Sequence, residues 1–251
     1  QNDIGIFILM AGITATACAI LYRLSSTLFD RPAGVVTVLL VGFNALFAVI
    51  ARAPYLECLT IVFMAATLYS SEKNRMGWAW IFFLVACLTR TEAIVLIAPL
   101  SIRFWQAHGF HISARLTLLF SIPPAISVGM LWYLLTFPPH TFDPATYSVI
   151  GDVHLDWARM ANQLVQFVVD SGMIFSLATI YGIFILLREK KWQSIYALVP
   201  ILSLAHALLN STTFTAYAPR NALIAYVFFA PYAAYAFFYI ARTYTRARPA
   251  I

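Results

Sequence analysis

Apolar runs alternate with short polar punctuation along the whole chain. Nine runs stand out, and each is too continuously apolar for a surface helix with one wet face, so the pattern predicts helices buried in lipid or in one another. They fall near residues 4–22, 34–51, 56–70, 77–89, 92–105, 116–137, 157–187, 194–215 and 221–241. The run 157–187 is longer than a span and is expected to begin with an interfacial turn. The runs 56–70, 77–89 and 92–105 fall short of the roughly 20 residues a full crossing needs. They are expected to tilt into the bundle or to end in a water-filled cavity.

One interruption decides the topology. Thr89-Arg90-Thr91-Glu92 sets an arginine and a carboxylate inside the apolar stretch from Trp78 to Leu100. A charge at a bilayer centre costs roughly 2.5–3.5 kcal/mol. The quartet is therefore either a buried functional pair within one long helix or the turn of a tight hairpin. Basic residues gather on the cytoplasmic side of membrane proteins, and they favour the hairpin. With a turn here, twelve of the sixteen Lys and Arg residues share one side, among them Lys73, Arg75, Arg103, Arg188, Lys190, Lys191 and Arg242. Arg52, Arg90, Arg159 and Arg220 take the other. With a single span, Arg188-Glu189-Lys190-Lys191 would oppose Lys73 and Arg75. The expected fold is all-α: one polytopic transmembrane helical bundle over 1–251, of about nine spans, with the N-terminus outside and the C-terminus cytoplasmic. Gln1 carries no basic leader before the first run, so an outer N-terminus predicts a missing upstream span and outer loop.

Composition sharpens this. Hydrophobic residues make up 62% and charged residues only 10%, against about 25% charged in a soluble domain; the mean hydropathy is +0.81. A soluble domain is excluded. The net charge of +6 reads as membrane-flanking residues, so nucleic acid is not an expected partner. Cys18, Cys58 and Cys87 have no CxxC spacing and read as small core residues. P-loop, GxSxG, HExxH and dinucleotide fingerprints are absent. No coupled pair of broken spans with ion-ligand spacing points to a transporter.

Candidate chemistry gathers at the outer ends of the spans. Arg52, Arg90 and Arg220 sit where a guanidinium fork would meet a lipid phosphate, with Glu92 beside Arg90. Each could instead anchor a helix end or pair internally, Arg90 with Glu92 or Glu57. Glu57 opens an apolar helix, where the helix dipole favours an anion; it is a candidate general base or a simple cap. Asp3 lies at the outer start. The long loop 138–156 and the helix after it bring Asp152, His154, Asp156 and Arg159, a candidate acceptor site or a solvated loop. These carboxylates could also hold a hard divalent cation, although no metal site is assigned. Asp170 calls for a polar partner, Arg159 or Gln166. His206 reads as a hydrogen-bonded packing residue.

Three ordered motifs resemble the GT-C superfamily of polytopic glycosyltransferases. Tyr22-Arg23-Leu24 through Phe29-Asp30-Arg31 is similar to the family's first cytoplasmic turn. Asn44 through Ala51-Arg52-Ala53-Pro54-Tyr55-Leu56-Glu57 is similar to its helix ending followed by an acid. Leu88-Thr89-Arg90-Thr91-Glu92-Ala93 resembles its Thr-Arg-Pro-Glu-Gly turn, with Thr91 and Ala93 departing from it. Ala218-Pro219-Arg220-Asn221 matches a late arginine motif weakly, because the usual tyrosine is absent. The resemblance implies transfer of a sugar from a polyprenyl- or dolichyl-phosphate carrier to an acceptor on the outer or lumenal face. The membrane would be a bacterial or archaeal cytoplasmic membrane, or that of the ER. It also implies that the usual catalytic acid stands in a loop before Gln1, with Asp3 as its remnant, Glu57 as a supporting acid, and Arg52, Arg90 and Arg220 as phosphate ligands. The competing readings are a non-catalytic scaffold subunit of a larger membrane assembly and a lipid or solute transporter.

Overall fold

The computed structural model describes residues 3–44, 47–48, 56–108, 121–123, 125–126, 128–129, 157–213 and 219–247. Among these the protein is helical, with no strand. The helices are α1 (Asp3–Leu28), α2 (Arg31–Gly42), α3 (Leu56–Glu72), α4 (Met76–Thr89), a 3-10 turn (Thr91–Leu96), α5 (Ile97–His108), α6 (Trp157–Ser171), α7 (Met173–Arg188), a second 3-10 turn (Trp192–Ala197), α8 (Leu198–Thr213) and α9 (Pro219–Ala247). The run expected at 116–137 lies mostly outside the described residues.

Among the described residues, three stretches are long and apolar enough to cross a membrane: Ile4–Leu28, Trp192–Leu209 and Ala222–Thr245. Counting the bent pair α6–α7 as one span makes four. The other apolar helices described are short. α2 and α5 have 12 residues each and α4 has 14, which at 1.5 Å per residue cannot cover a core about 30 Å thick.

α9 is the axis of the bundle. In its spanning window 72% of residues are buried, against 17% for α1. α1 instead turns Ile4, Phe7, Ile8 and Leu9 outward, and α7 does the same with Met173, Ile174, Leu177, Ile180 and Phe184. Water would not tolerate such continuous apolar faces, and acyl chains cover them without cost. Small residues let the helices approach closely. A Cβ added at Gly182 on α7 would stand 2.2 Å from the Tyr232 carbonyl oxygen of α9. Gly182→Ala is therefore expected to destabilise the protein by about 1–3 kcal/mol, because backbone must move. Gly12→Ala, with nothing within 4 Å of its Cβ, is the control. Thermal melts in detergent compare the two.

Local signals account for the helix ends. Asp30 accepts the Ala33 amide at 2.9 Å and caps α2, with Pro32 in the first turn. Buried hydroxyls of Ser25 and Thr37, 2.8 Å apart, tie α1 to α2. The run 157–187, expected as one helix that begins with an interfacial turn, is two helices that meet at 100°. The break is at Gly172, whose φ of +89° suits a residue without a Cβ. α6 is the most amphipathic helix described: Gln163 and Phe167 point in.

The quartet at Arg90 is a turn. Glu57 and Glu72 stand at opposite ends of α3, about 22 Å apart at 1.5 Å per residue. Arg90 pairs with Glu57, and Arg103 pairs with Glu72. The chain therefore runs from one end of the bundle to the other between Arg90 and Arg103, having reversed at Arg90. Gln193 donates to the Leu28 carbonyl, Tyr196 to Glu72 and Arg242 to Asp30. These contacts gather Asp30, Glu72, Arg103, Lys191 and Arg242 at one basic end.

Candidate functional site

The end opposite the basic one is organised around Arg90. α4 stops at Thr89, whose hydroxyl donates back to the Ala86 carbonyl at 2.7 Å. Thr60, one turn along α3 from Glu57, donates to the Thr89 hydroxyl at 3.1 Å. Arg90 then leaves the helix with extended backbone, φ −155° and ψ 141°. The six residues that follow form the 3-10 turn. This reversal throws the Arg90 side chain across the start of α3.

There the guanidinium lies between two acids. Its Nε donates to Glu92 Oε2 at 3.0 Å and its Nη2 to Glu92 Oε1. That is a parallel two-bond fork, the strongest geometry an arginine and a carboxylate adopt. Its Nη1 donates to Glu57 Oε1. Glu57 is 2% exposed and Glu92 6%, while Arg90 keeps 19% of its side-chain surface open. Arg90 thus pairs with both Glu57 and Glu92. The pairing is physically necessary, since two carboxylates so deeply buried would otherwise be uncompensated. The 3-10 turn also packs against α8, which brings His206 within electrostatic reach of Glu92 and Arg90.

The chemical capacity follows. The cluster holds one guanidinium, Arg90, in place before any ligand arrives, with one side open and two carboxylates that outweigh its charge. A phosphate that meets Arg90 competes with Glu57 or Glu92 for a fork edge. Either acid so released would sit beside the bound group as a proton acceptor. Glu57 and Glu92 are both occupied by Arg90, and no group of three or more His, Cys, Asp or Glu residues that could hold a metal occurs among the described residues. At the same end a shallow cavity of about 480 Å³ opens beside the Gly172 break, lined in part by Phe43, Asn44, Asp170, Ser171 and Tyr226.

Of the residues read from the sequence, the structure joins Glu57, Arg90 and Glu92 into one cluster. Arg159 stands partly buried in the first turn of α6. Asp170 takes Gln166 as its partner, at 2.9 Å. Asp3 and Arg220 are described only as positions in the first turns of α1 and α9, and Arg52, Asp152, His154 and Asp156 lie outside the described residues. Thr60 escaped the sequence reading although it was legible, because it lies three residues from Glu57 and shares its helix face. His206 was read as a packing residue and not as a neighbour of the cluster, because only the packing of the 3-10 turn on α8 brings it near.

The site and the fold define an all-helical membrane protein with several apolar helices long enough to span and an arginine–carboxylate cluster at one end. The chain matches no protein-family model, no curated protein and no solved structure.

Proposed function

We infer that the chain is the membrane part of an integral-membrane glycosyltransferase of the GT-C type. It moves a sugar from a polyprenyl-phosphate-linked donor to an acceptor on the outer or lumenal face. The observation that carries this reading is Arg90, a guanidinium held rigid at the end of the bundle with one side open. Sugar transfer from a lipid phosphate needs a preorganised cation for the leaving phosphate and a base for the acceptor. Arg90 fills the first role, with Arg52 and Arg220 as further phosphate ligands. Glu57 supports it, with Asp3 as the candidate acceptor base. The segment Asp152, His154, Asp156 and Arg159 borders the acceptor. The reading places about nine spans in the bundle, with the basic end in the cytoplasm. The turn at Arg90 supports this count, because it gives the hairpin that the charge distribution asks for. An apolar groove of about 380 Å³, lined in part by Phe167, Phe175, Ile180, Phe184, Ile201 and Phe229, suits the isoprenoid tail of the donor.

A second reading, a scaffold subunit of a larger membrane assembly, is favoured by one observation. Two acids compensate Arg90, as they would in a purely structural tie. Reconstituted protein assayed with polyprenyl-phosphate-linked sugars separates the two. Arg90→Lys keeps the charge and loses the fork, and Glu57→Gln keeps the shape and loses the charge. Each is expected to lower transfer by about 100-fold or more with little change in melting temperature. Undiminished transfer by both variants would overturn the site assignment. Well-folded wild-type protein that transfers no sugar from any such donor would favour the scaffold.

A further inference from the structure

The basic end holds a pocket that the transfer reading does not use. It measures about 420 Å³ and lies between the end of α1, the turn after α7 and the last turns of α9. Four of its lining residues are charged: Asp30, Glu189, Lys191 and Arg242. They form two exposed ion pairs, Arg242 with Asp30 at 2.5 Å and Lys191 with Glu189 at 2.6 Å. Between the pairs stands an aromatic wall. Phe29 and Tyr235 stack with ring centroids 4.8 Å apart, and Tyr239 adjoins Tyr235 at 6.3 Å. The Lys191 ammonium lies 5.4 Å above the Tyr235 ring and donates to its hydroxyl at 3.0 Å. The hydrogen bond to Glu189 raises Lys191 above its ordinary value, so it remains charged.

The balance of charge selects the ligand. A simple anion would have to displace a tethered carboxylate from each cation and would leave that carboxylate bare. A simple cation meets the mirror problem. A zwitterion meets neither, because it supplies one charge of each sign. Exposed ion pairs contribute little on their own, so exchanging partners is cheap. We propose that this pocket binds a phosphoethanolamine headgroup. Its phosphate lies on Arg242 and Lys191, and its ammonium lies between Asp30, Glu189 and the Phe29–Tyr235 face.

Two features refine the class. Asp30 and Glu189 accept hydrogen bonds, which a primary ammonium donates and a quaternary one cannot. The aromatic wall alone would take either, since rings attract any cation. Phosphoethanolamine is therefore preferred to phosphocholine. The pocket also sits at the end where the basic turns gather, with the exposed apolar face of α7, from Leu187 back to Met173, running away from it. That is headgroup depth beside acyl chains, so the headgroup is that of a lipid.

The test uses the full chain in detergent, titrated with short-chain phosphatidylethanolamine, phosphatidylcholine and phosphatidylglycerol and followed by native mass spectrometry. Phosphatidylethanolamine is expected to bind about tenfold more tightly than the other two. Asp30→Asn combined with Glu189→Gln is expected to remove its advantage over phosphatidylcholine. Asparagine still caps α2, and melting temperatures report folding. Arg242→Gln should weaken both phospholipids alike. Displacement by soluble phosphoethanolamine identifies the headgroup as sufficient, whereas binding of the lipid alone identifies the membrane as the source. Equal binding of the three lipids, tighter binding of phosphatidylglycerol, or an unchanged preference in the double variant overturns the proposal.

Discussion

Arg90→Ala is expected to destabilise the protein by about 3–5 kcal/mol, the cost of stripping a buried acid of its partner. Two acids are affected at once, Glu57 and Glu92, both nearly inaccessible. Adding Glu57→Gln and Glu92→Gln to Arg90→Ala should recover most of the stability, because neutral amides remove the uncompensated charge. Melting temperatures of the single and triple variants check this. A triple variant no more stable than Arg90→Ala would show that the cluster is held by packing. Arg90→Ala is accordingly a poor probe of activity, and the milder Arg90→Lys and Glu57→Gln belong in the transfer assay.

Arg103→Ala carries the second large effect, at the opposite end of α3. Glu72 is deeply buried and receives Arg103 Nε at 3.2 Å and the Tyr196 hydroxyl. Arg103 also lies over the Trp192 ring, 4.5 Å from its centroid. Removing it deletes an ion pair and a cation–π contact together. About 2–4 kcal/mol is expected to be lost, somewhat less than at Arg90 because Tyr196 still donates to the acid. Glu72→Gln on the Arg103→Ala background should restore much of it, since a glutamine oxygen accepts from Tyr196 without a charge. A double-mutant cycle by denaturant or thermal melts measures the coupling. Coupling near zero would show that Arg103 acts through its contact with Trp192.

Much of this architecture was legible because lipid-facing helices leave so coarse a mark. The apolar runs located every long helix described, and the charge count predicted the reversal that Arg90 and Arg103 make. Glu57, Arg90 and Glu92 were legible as a group because ionisable residues in apolar sequence are costly and must find partners. Other features were hidden for definite reasons. The break at Gly172 was missed although Asp170-Ser171-Gly172 interrupts the apolar run with a charge and a Ser-Gly turn signal, because a short polar interruption is also common inside membrane helices. The pairing of Glu72 could not be read, because Arg103 and Tyr196 are 31 and 124 residues away. His206 is likewise far from Glu92 in sequence. Contacts that join remote helices depend on how the bundle packs, and periodicity does not report packing.

The length of α3 fixes two levels within the bundle. Its two acidic ends, each clamped by an arginine, are separated by about 22 Å. A clamp at both ends prevents the helix from sliding along its axis. Twelve of its 17 residues are buried, so α3 meets protein on most of its surface and acts as a strut. The guanidiniums of Arg90 and Arg103 are thereby held a set distance apart, whatever surrounds the bundle.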